Sequence, residues 1–302
     1  MSLRVTPGMM HMQLTRNLNR NLTQSQGLQE QVTTGRKINK ASDDPVGITY
    51  ALRYRSELSS NEQYQKNLDQ ALSWLDFNDT VMVQVQDVLK RAKELAVQGS
   101  NGTNPGVALA NISTEVSQLK GQLVDIANSK LNGKYVFSGE NTDKIPYDTS
   151  AVPFDPSSMN PDKGKVKYTV GVGVTLAINV SGTDVFGASA DPDNVFGVLD
   201  RIITALNNNQ HGVVASEISN LESRMDKILS QQAEVGARVN RAELIQNRLQ
   251  DLGQNLTDLQ SRAEDADFEK LIIDSKINEN IYQASLSVGA KVITPSLVDF
   301  LR

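Results

Sequence analysis

The sequence predicts a mainly α-helical fold: an elongated antiparallel bundle of long helices in coiled-coil style, carrying a small β-rich inserted domain. Three observations predict it. Along two stretches of about fifty residues, apolar side chains recur at alternating spacings of three and four, the period that keeps one stripe turned to a partner helix. Glycine and proline, which break helices, are sparse there and crowd instead into residues 99–106 and 133–193. Valine-rich alternation, the period of a strand, runs from Val166 to Val180.

Taken in order, residues 11–32 carry a weak heptad of His11, Leu14, Leu18, Asn21, Ser25, Leu28 and Val32, polar at three positions of seven. A short helix depends on an apolar stripe to offset chain entropy. This one is therefore either a surface helix of the bundle or a segment that orders on assembly. Gly35 ends it. Asp44 followed by Pro45 forms the next helix cap, because the carboxylate accepts orphan amide hydrogens and proline is tolerated at the first helical position. The helix from Pro45 to Gln98 bears the seam Leu68, Ala71, Leu75, Asn78, Met82, Val85, Leu89, Ala92 and Ala96. At 1.5 Å per residue it reaches roughly 80 Å. Trp74, beside Leu75, belongs to its packing. After the turn at Gly99–Gly106 a third helix carries Leu109, Ile112, Val116, Leu119, Leu123 and Ile126 and ends near Asn132 and Gly133. The short turn implies an antiparallel pair.

From Lys134 to Asp193 the character changes. A strand is expected at Tyr135–Phe137, loop at Pro146, Pro153, Pro156 and Pro161, and a hairpin over Val166–Val180 turning at Gly171 and Gly173. An insert of about sixty residues has a thin core; for the chain as a whole, an aromatic content of 5% predicts an aliphatic core. Helix resumes over Val195–Leu206. The longest seam follows between Val214 and Ala263: Val214, Ile218, Leu221, Met225, Ile228, Val235 and Val239, interrupted at Gln232. Steps of three and then three through Val239, Ala242 and Ile245 make a stammer; with Gly236 beside it, a bend or a change of partner is expected there. The last helix bears Ile273, Ile277, Ile281, Ala284, Val288 and Val292, and Pro295 stops it. The tail Leu297, Val298, Phe300 and Leu301 is poorly suited to water and docks either on its own bundle or on a partner subunit.

Three domains are expected: 1–44 with 265–302 for coiled-coil assembly, 45–133 with 195–264 as a helical stalk, and 134–194 as the β-rich outer insert. Little in the composition invites catalysis. The chain contains no cysteine, which excludes disulfides and thiol chemistry. Its histidines, His11 and His211, have no ligand-spaced carboxylate or second histidine, so each is exposed or a cap. The pairs Asp43 with Asp44 and Asp265 with Asp267 flank helix boundaries, where capping accounts for them. Phosphate-loop, nucleophile-elbow and dinucleotide patterns are absent. No catalytic, cofactor-binding or metal-binding residue is therefore predicted. A net charge of −5 without a basic run argues against nucleic acid. No apolar stretch is long enough to span a bilayer, and no cleavable export signal is visible.

Five stretches carry a resemblance. TGRKINKASDDPVG (Thr34–Gly47) and AKELAVQGSNGT (Ala92–Thr103) resemble the N-terminal signature of the flagellin superfamily. GARVNRAE (Gly236–Glu243), SRAEDADFEKLI (Ser261–Ile272) and QASLSVGAKVITPSLVDFLR (Gln283–Arg302) resemble its C-terminal signature. Pro45-Val46 stands where filament flagellins usually carry an alanine pair. That pair, the opening RVTPGMMHMQL and GKYVFSGENTDKIPY (Gly133–Tyr147) resemble the hook-associated protein 3 branch. The resemblance implies a structural, non-enzymatic subunit without cofactor, exported uncleaved through the flagellar type III apparatus and working outside the cell where the hook meets the filament. Its implied partners are further copies of itself in a ring, a neighbouring hook-associated protein on the hook side, flagellin on the filament side and an export chaperone at the C-terminal helix. Joined to the heptad reading, it puts the assembly interface at Leu14, Leu18, Leu28, Val32, Ile277, Ile281, Ala284, Val288, Leu297, Phe300 and Leu301. The two terminal rows are expected to bury each other and neighbouring copies. Filament flagellin and a coiled-coil binding protein with no flagellar role are the alternatives.

Overall fold

A computed structural model describes residues 7–150 and 155–292, so Pro153, Pro295, Leu297, Val298, Phe300 and Leu301 lie outside the described residues. Long helices dominate: α1 (Pro7–Thr34), α2 (Pro45–Ser100), α3 (Gly106–Ala127), α4 (Gly182–Phe186), α5 (Val195–Asn207), α6 (His211–Glu264) and α7 (Phe268–Val292). Two antiparallel hairpins, β1 (Lys130–Leu131) with β2 (Lys134–Tyr135) and β3 (Lys167–Gly171) with β4 (Val174–Ala177), make up the small β-rich insert. The chain divides into two compact units, Met1–Ser60 with Leu252–Arg302, and Asn61–Asp251.

Within the second unit α2 and α6 run antiparallel, since partners rise in number on one helix as they fall on the other. Asn61 Nδ2 donates to Leu249 O at 3.0 Å, Gln246 Nε2 to Asp69 Oδ1 at 3.1 Å, and Lys93 meets Glu222 at 2.6 Å. On α6 the seven-spaced row Val214, Leu221, Ile228, Val235, Ala242 and Leu249 is buried throughout. Facing it are Leu68, Leu75, Met82, Leu89 and Ala96. The expected change of partner at the stammer does not disturb this row, which runs through Gly236 in unbroken helix. What changes is the companion row: Ile218, Met225, Val239 and Ile245 are partly buried, whereas Leu252 and Leu259 beyond them are 44% and 42% exposed. A strict seven-residue repeat holds the seam, and the stammer only moves the flank.

Gln232, the polar break in the seam, is satisfied by α2. Its Nε2 donates to Asp79 at 2.8 Å and its Oε1 accepts from Gln86 at 3.1 Å. A lone polar residue in a seam fixes register at some cost in stability. Trp74, Val81, Val88 and Leu95, also seven apart, are buried as well and give α2 a second covered flank. Gly99 is needed at its end: a Cβ there would stand 2.4 Å from Leu206 of α5. His211 acts as a cap, its Nδ1 lying 3.0 Å from Gly99 O.

The insert departs from expectation at its start. Helix α3 ends at Ala127, and Asn132-Gly133 instead forms the β1–β2 turn, with φ of 52° and 81°. Two positive φ values in succession are what a two-residue hairpin turn needs, and Asn-Gly supplies them with least strain. The chain's core is aliphatic, as its composition predicts, but beside Val136, Val170, Leu176, Ile178, Val180 and Val185 the insert and the start of α5 gather four rings. Phe137, Tyr147, Phe186 and Phe196 pack with ring centroids 5.1–5.6 Å apart. A low aromatic count says nothing of position, and four rings in one place fill a small core that aliphatics would leave thin. Burial pushes the Tyr147 phenol well above its ordinary pKa.

The loop before α5 is tied to α6 by charge. Arg224, 2% exposed, reaches Asp193 at 2.7 Å and Asp191 at 3.3 Å, and Lys227 meets the other Asp193 oxygen at 2.7 Å. Gly187, at φ 91°, leaves the room, since a Cβ would sit 2.7 Å from the guanidinium. Burial works to raise the Asp193 carboxyl, but the Lys227 hydrogen bond and the Arg224 charge outweigh it and hold the group below the ordinary carboxylate range. Glu217 is likewise held below the ordinary carboxylate range, burial being outweighed by its bonds from Arg201 and Asn220. A depressed carboxylate contributes stability that is complete above its unfolded pKa and lost as pH falls through its folded one. The urea midpoint of this unit is therefore expected to be flat from pH 7 to about 5 and to fall below about pH 4, with Asp193→Asn shrinking that acid slope. A wild-type midpoint unchanged at pH 3 would refute the assignment.

Candidate functional site

In the first unit two of the signature stretches, one from each end of the chain, are knotted together. Asp43 Oδ2 accepts from the amides of Asn39 at 3.1 Å and Lys40 at 2.8 Å, which close the turn and hold its carboxyl below the ordinary range. Asp44 Oδ1 caps α2 through the amides of Val46 at 3.0 Å and Gly47 at 2.9 Å, with Pro45 at the first helical position. Ile38, 4% exposed, plugs the turn, and a Cβ on Gly47 would stand 2.6 Å from it.

Beneath the turn lies Glu264, the last residue of α6, 1% exposed. It accepts two bonds from Arg55 of α2, one at 2.7 Å, and Arg36 stands 3.3 Å away. The hydrogen bond to Glu264 raises the Arg55 pKa further. Backbone completes the knot: Lys37 N donates to Glu264 O at 2.7 Å and Ala266 N to Gly35 O at 3.0 Å. Asp267 then caps α7 through Lys270 N at 3.2 Å. The aspartates read as caps in the sequence thus sit at turn and helix boundaries.

From this knot α1 and α7 depart as an antiparallel pair, since Leu14 packs on Gly289 and Asn21 Nδ2 lies 3.4 Å from Ser285 Oγ. The α1 face of the pair is the heptad read from sequence: Leu14, Leu18, Asn21, Ser25, Leu28 and Val32 are all half-buried. The α7 face is a different row from the apolar one. It runs Leu271, Ser275, Asn278, Tyr282, Ser285 and Gly289, the half-buried or buried positions of that helix, and Asn278 is 5% exposed with its Oδ1 unpartnered. Ile273, Ile277, Ile281 and Val288 are 48–58% exposed, and Ala284 is exposed beside them. At 100° per residue this apolar row lies roughly 120° around α7 from the α1 seam.

The two predicted terminal rows are therefore not brought onto each other within one chain. Leu14, Leu18, Leu28 and Val32 meet small and polar residues, while Ile277, Ile281, Ala284 and Val288 face away; Leu297, Phe300 and Leu301 lie outside the described residues. Ser275, Asn278, Tyr282, Ser285 and Gly289 escaped the sequence reading because a search for apolar spacing passes over a seam built of small and polar groups. Their own three-four spacing was the available signal. Such a seam is weak. Half-burying four aliphatic side chains contributes a few kcal/mol, about half of the 1.5–3 kcal/mol each would give when fully buried. Gly289→Val is expected to pry the pair apart, because a Cβ already falls 2.8 Å from Leu14. Limited proteolysis should then cut α1 and α7 several-fold faster with the second unit's melting unchanged; equal rates would show that the seam tolerates a wedge.

Among the described residues no cluster of histidine, cysteine, aspartate or glutamate could hold a metal ion, and no helix is long and apolar enough to cross a membrane. What unit one leaves open is the exposed α7 row of Ile273, Ile277, Ile281 and Val288.

Comparison with known proteins bears on that surface. The family model described as the bacterial flagellin N-terminal helical region matches residues 5–142. Flagellar hook-associated protein 3 of Escherichia coli strain K12 is 26% identical over 312 residues, covering 94% of this chain and 95% of that one. Flagellin of Bacillus subtilis strain 168 is 26% identical over 288 residues, covering 91% of each. Among solved structures, the flagellar hook-associated protein 3 of Legionella pneumophila superposes with a TM-score of 0.60 at 16% identity, over 69% of this chain and 97% of that one.

Proposed function

From its homology, at low identity, to flagellins and flagellar hook-associated proteins, we propose that this chain is a structural subunit of the bacterial flagellum that joins hook to filament. It assembles as a ring through its terminal helices. One observation carries the reading: α7 holds α1 with a small and polar face and leaves a heptad-spaced apolar row, Ile273 to Val288, uncovered. An amphipathic helix whose apolar stripe stays uncovered needs another helix to cover it. Further copies supply one.

In this reading residues 1–44 with 265–302 form the assembly domain, 45–133 with 195–264 the stalk, and 134–194 an outer insert. Leu14, Leu18, Leu28 and Val32 hold α7 in place, and Ile277, Ile281, Ala284 and Val288 meet the next copy; the tail residues Leu297, Phe300 and Leu301 extend that surface. A hook-associated protein lies on one side of the ring and flagellin on the other. The chain reaches its site uncleaved by type III export, a chaperone covering the C-terminal helix on the way. The junction role is favoured by the Pro45-Val46 pair and the Gly133–Tyr147 stretch, and by coverage of nearly the whole of a hook-associated relative.

The comparable identity to a flagellin supports a second reading, filament subunit. Electron microscopy of cells lacking the protein separates the two. Hooks intact and filaments missing, with flagellin lost to the medium, is the junction outcome. Should the purified chain alone grow into long filaments, the junction role is wrong.

A further inference from the structure

Six methionines lie among the described residues, and the fold sorts them by exposure. Met82 is completely buried in the seam of α2, and Met159 and Met225 are half-buried. Met9, Met10 and Met12, in the first turns of α1, are 52%, 43% and 59% exposed. From that contrast we infer that the start of α1 is a methionine-oxidation site, where a hydroperoxide converts exposed thioethers to sulfoxides and loosens the α1–α7 pair at Leu14.

The reaction asks only that the reagent reach the sulfur. An S–O bond forms as the O–O bond breaks, and the sulfur gives up two electrons. The transferred oxygen's proton passes to the departing oxygen, which leaves as an alcohol, or as water when the reagent is hydrogen peroxide. A flexible apolar side chain thereby becomes polar and chiral. The chain has no cysteine, so no thiol competes for the oxidant.

Helix geometry decides which of the three sulfurs matters to the pair. Met9 and Met12, three residues apart, share a face roughly 150° around α1 from Leu14. Met10 lies one turn before Leu14 on the same face. Leu14 packs on Gly289 of α7 so closely that a Cβ on the glycine would stand 2.8 Å from it. A sulfoxide at Met10 brings a strong hydrogen-bond acceptor, and with it water, to the rim of that contact. The α7 side of the seam, with Asn278, Tyr282 and Ser285, has little apolar surface to hold the helices together once the rim is wet.

The test is peptide mapping by mass spectrometry on the purified full chain after graded hydrogen peroxide. Met9, Met10 and Met12 should oxidise roughly ten-fold faster than Met82, with Met159 and Met225 between them. In urea-unfolded chain all six should react alike. Oxidation of the α1 methionines no faster than that of Met159 and Met225 would overturn the site. Hydrogen exchange reads the consequence: the oxidised chain should exchange several-fold faster over residues 8–18, with the second unit unchanged and the effect reversed by methionine sulfoxide reductase. Met10→Leu should abolish the acceleration, whereas Met9→Leu with Met12→Leu should leave it in place. Exchange unaltered by oxidation, or acceleration that persists in Met10→Leu, would refute the loosening at Leu14.

Discussion

Ile281→Asp abolishes assembly of the full-length chain and leaves its thermal unfolding almost unchanged. Ile281 is 48% exposed on the face of α7 turned away from α1. Within one chain the substitution therefore removes little packing, and exposed substitutions of this kind stay within about 0.5 kcal/mol. In the ring the same carboxylate would be buried against an apolar neighbour with no counterion. The cost of several kcal/mol per contact repeats at every copy. Motility and filament attachment measure the first half of the expectation, calorimetry of the purified variant the second. A melting temperature lowered by many degrees would mean that the row belongs to the chain's own core.

Glu264→Ala has the opposite signature, damaging the monomer directly. The carboxylate is 1% exposed, and Arg55 and Arg36 both point at it. Removing one partner of a buried pair ordinarily costs 3–5 kcal/mol; with Arg55 and Arg36 left 37% and 45% exposed, water takes up part of the lost charge and about 2–3 kcal/mol is expected. The loss falls on the first unit. Trypsin should cut after Arg36 and Lys37 much faster, and hydrogen exchange in α1 and α7 should accelerate, with the second unit protected as before. Glu264→Gln keeps an acceptor for Arg55 and is expected to lose less than Ala. If Ala behaves as wild type in both assays, the knot is held by its backbone bonds alone.

Much of the helical architecture was legible because a coiled-coil seam is written locally. Leu68 through Ala96 could be named as buried from spacing alone, and they are buried; on α6 the row Val214, Leu221, Ile228, Val235, Ala242 and Leu249 is buried, while Ile218, Met225, Val239 and Ile245 of the same seam are half-buried. Leu14 to Val32 were readable for the same reason. The hairpin at Asn132-Gly133 is equally local, yet the same dipeptide serves as a helix end, and only the pairing of Lys130 with Tyr135 decides. The cluster of four rings was beyond reach. Phe137, Tyr147, Phe186 and Phe196 are far apart in sequence, and no periodicity joins residues whose meeting depends on the path of loops.

Periodicity by itself therefore determined which segments are helices, which side of each long helix is apolar, and that the terminal segments are too polar to form a strong core. The folded chain alone decided how α1 and α7 meet: through Asn278, Ser285 and Gly289, with the isoleucines turned outward. The reason is geometric. A sequence lists every stripe a helix carries, but α7 carries two, and which is covered depends on the direction in which the Glu264 knot launches the helix toward its neighbour.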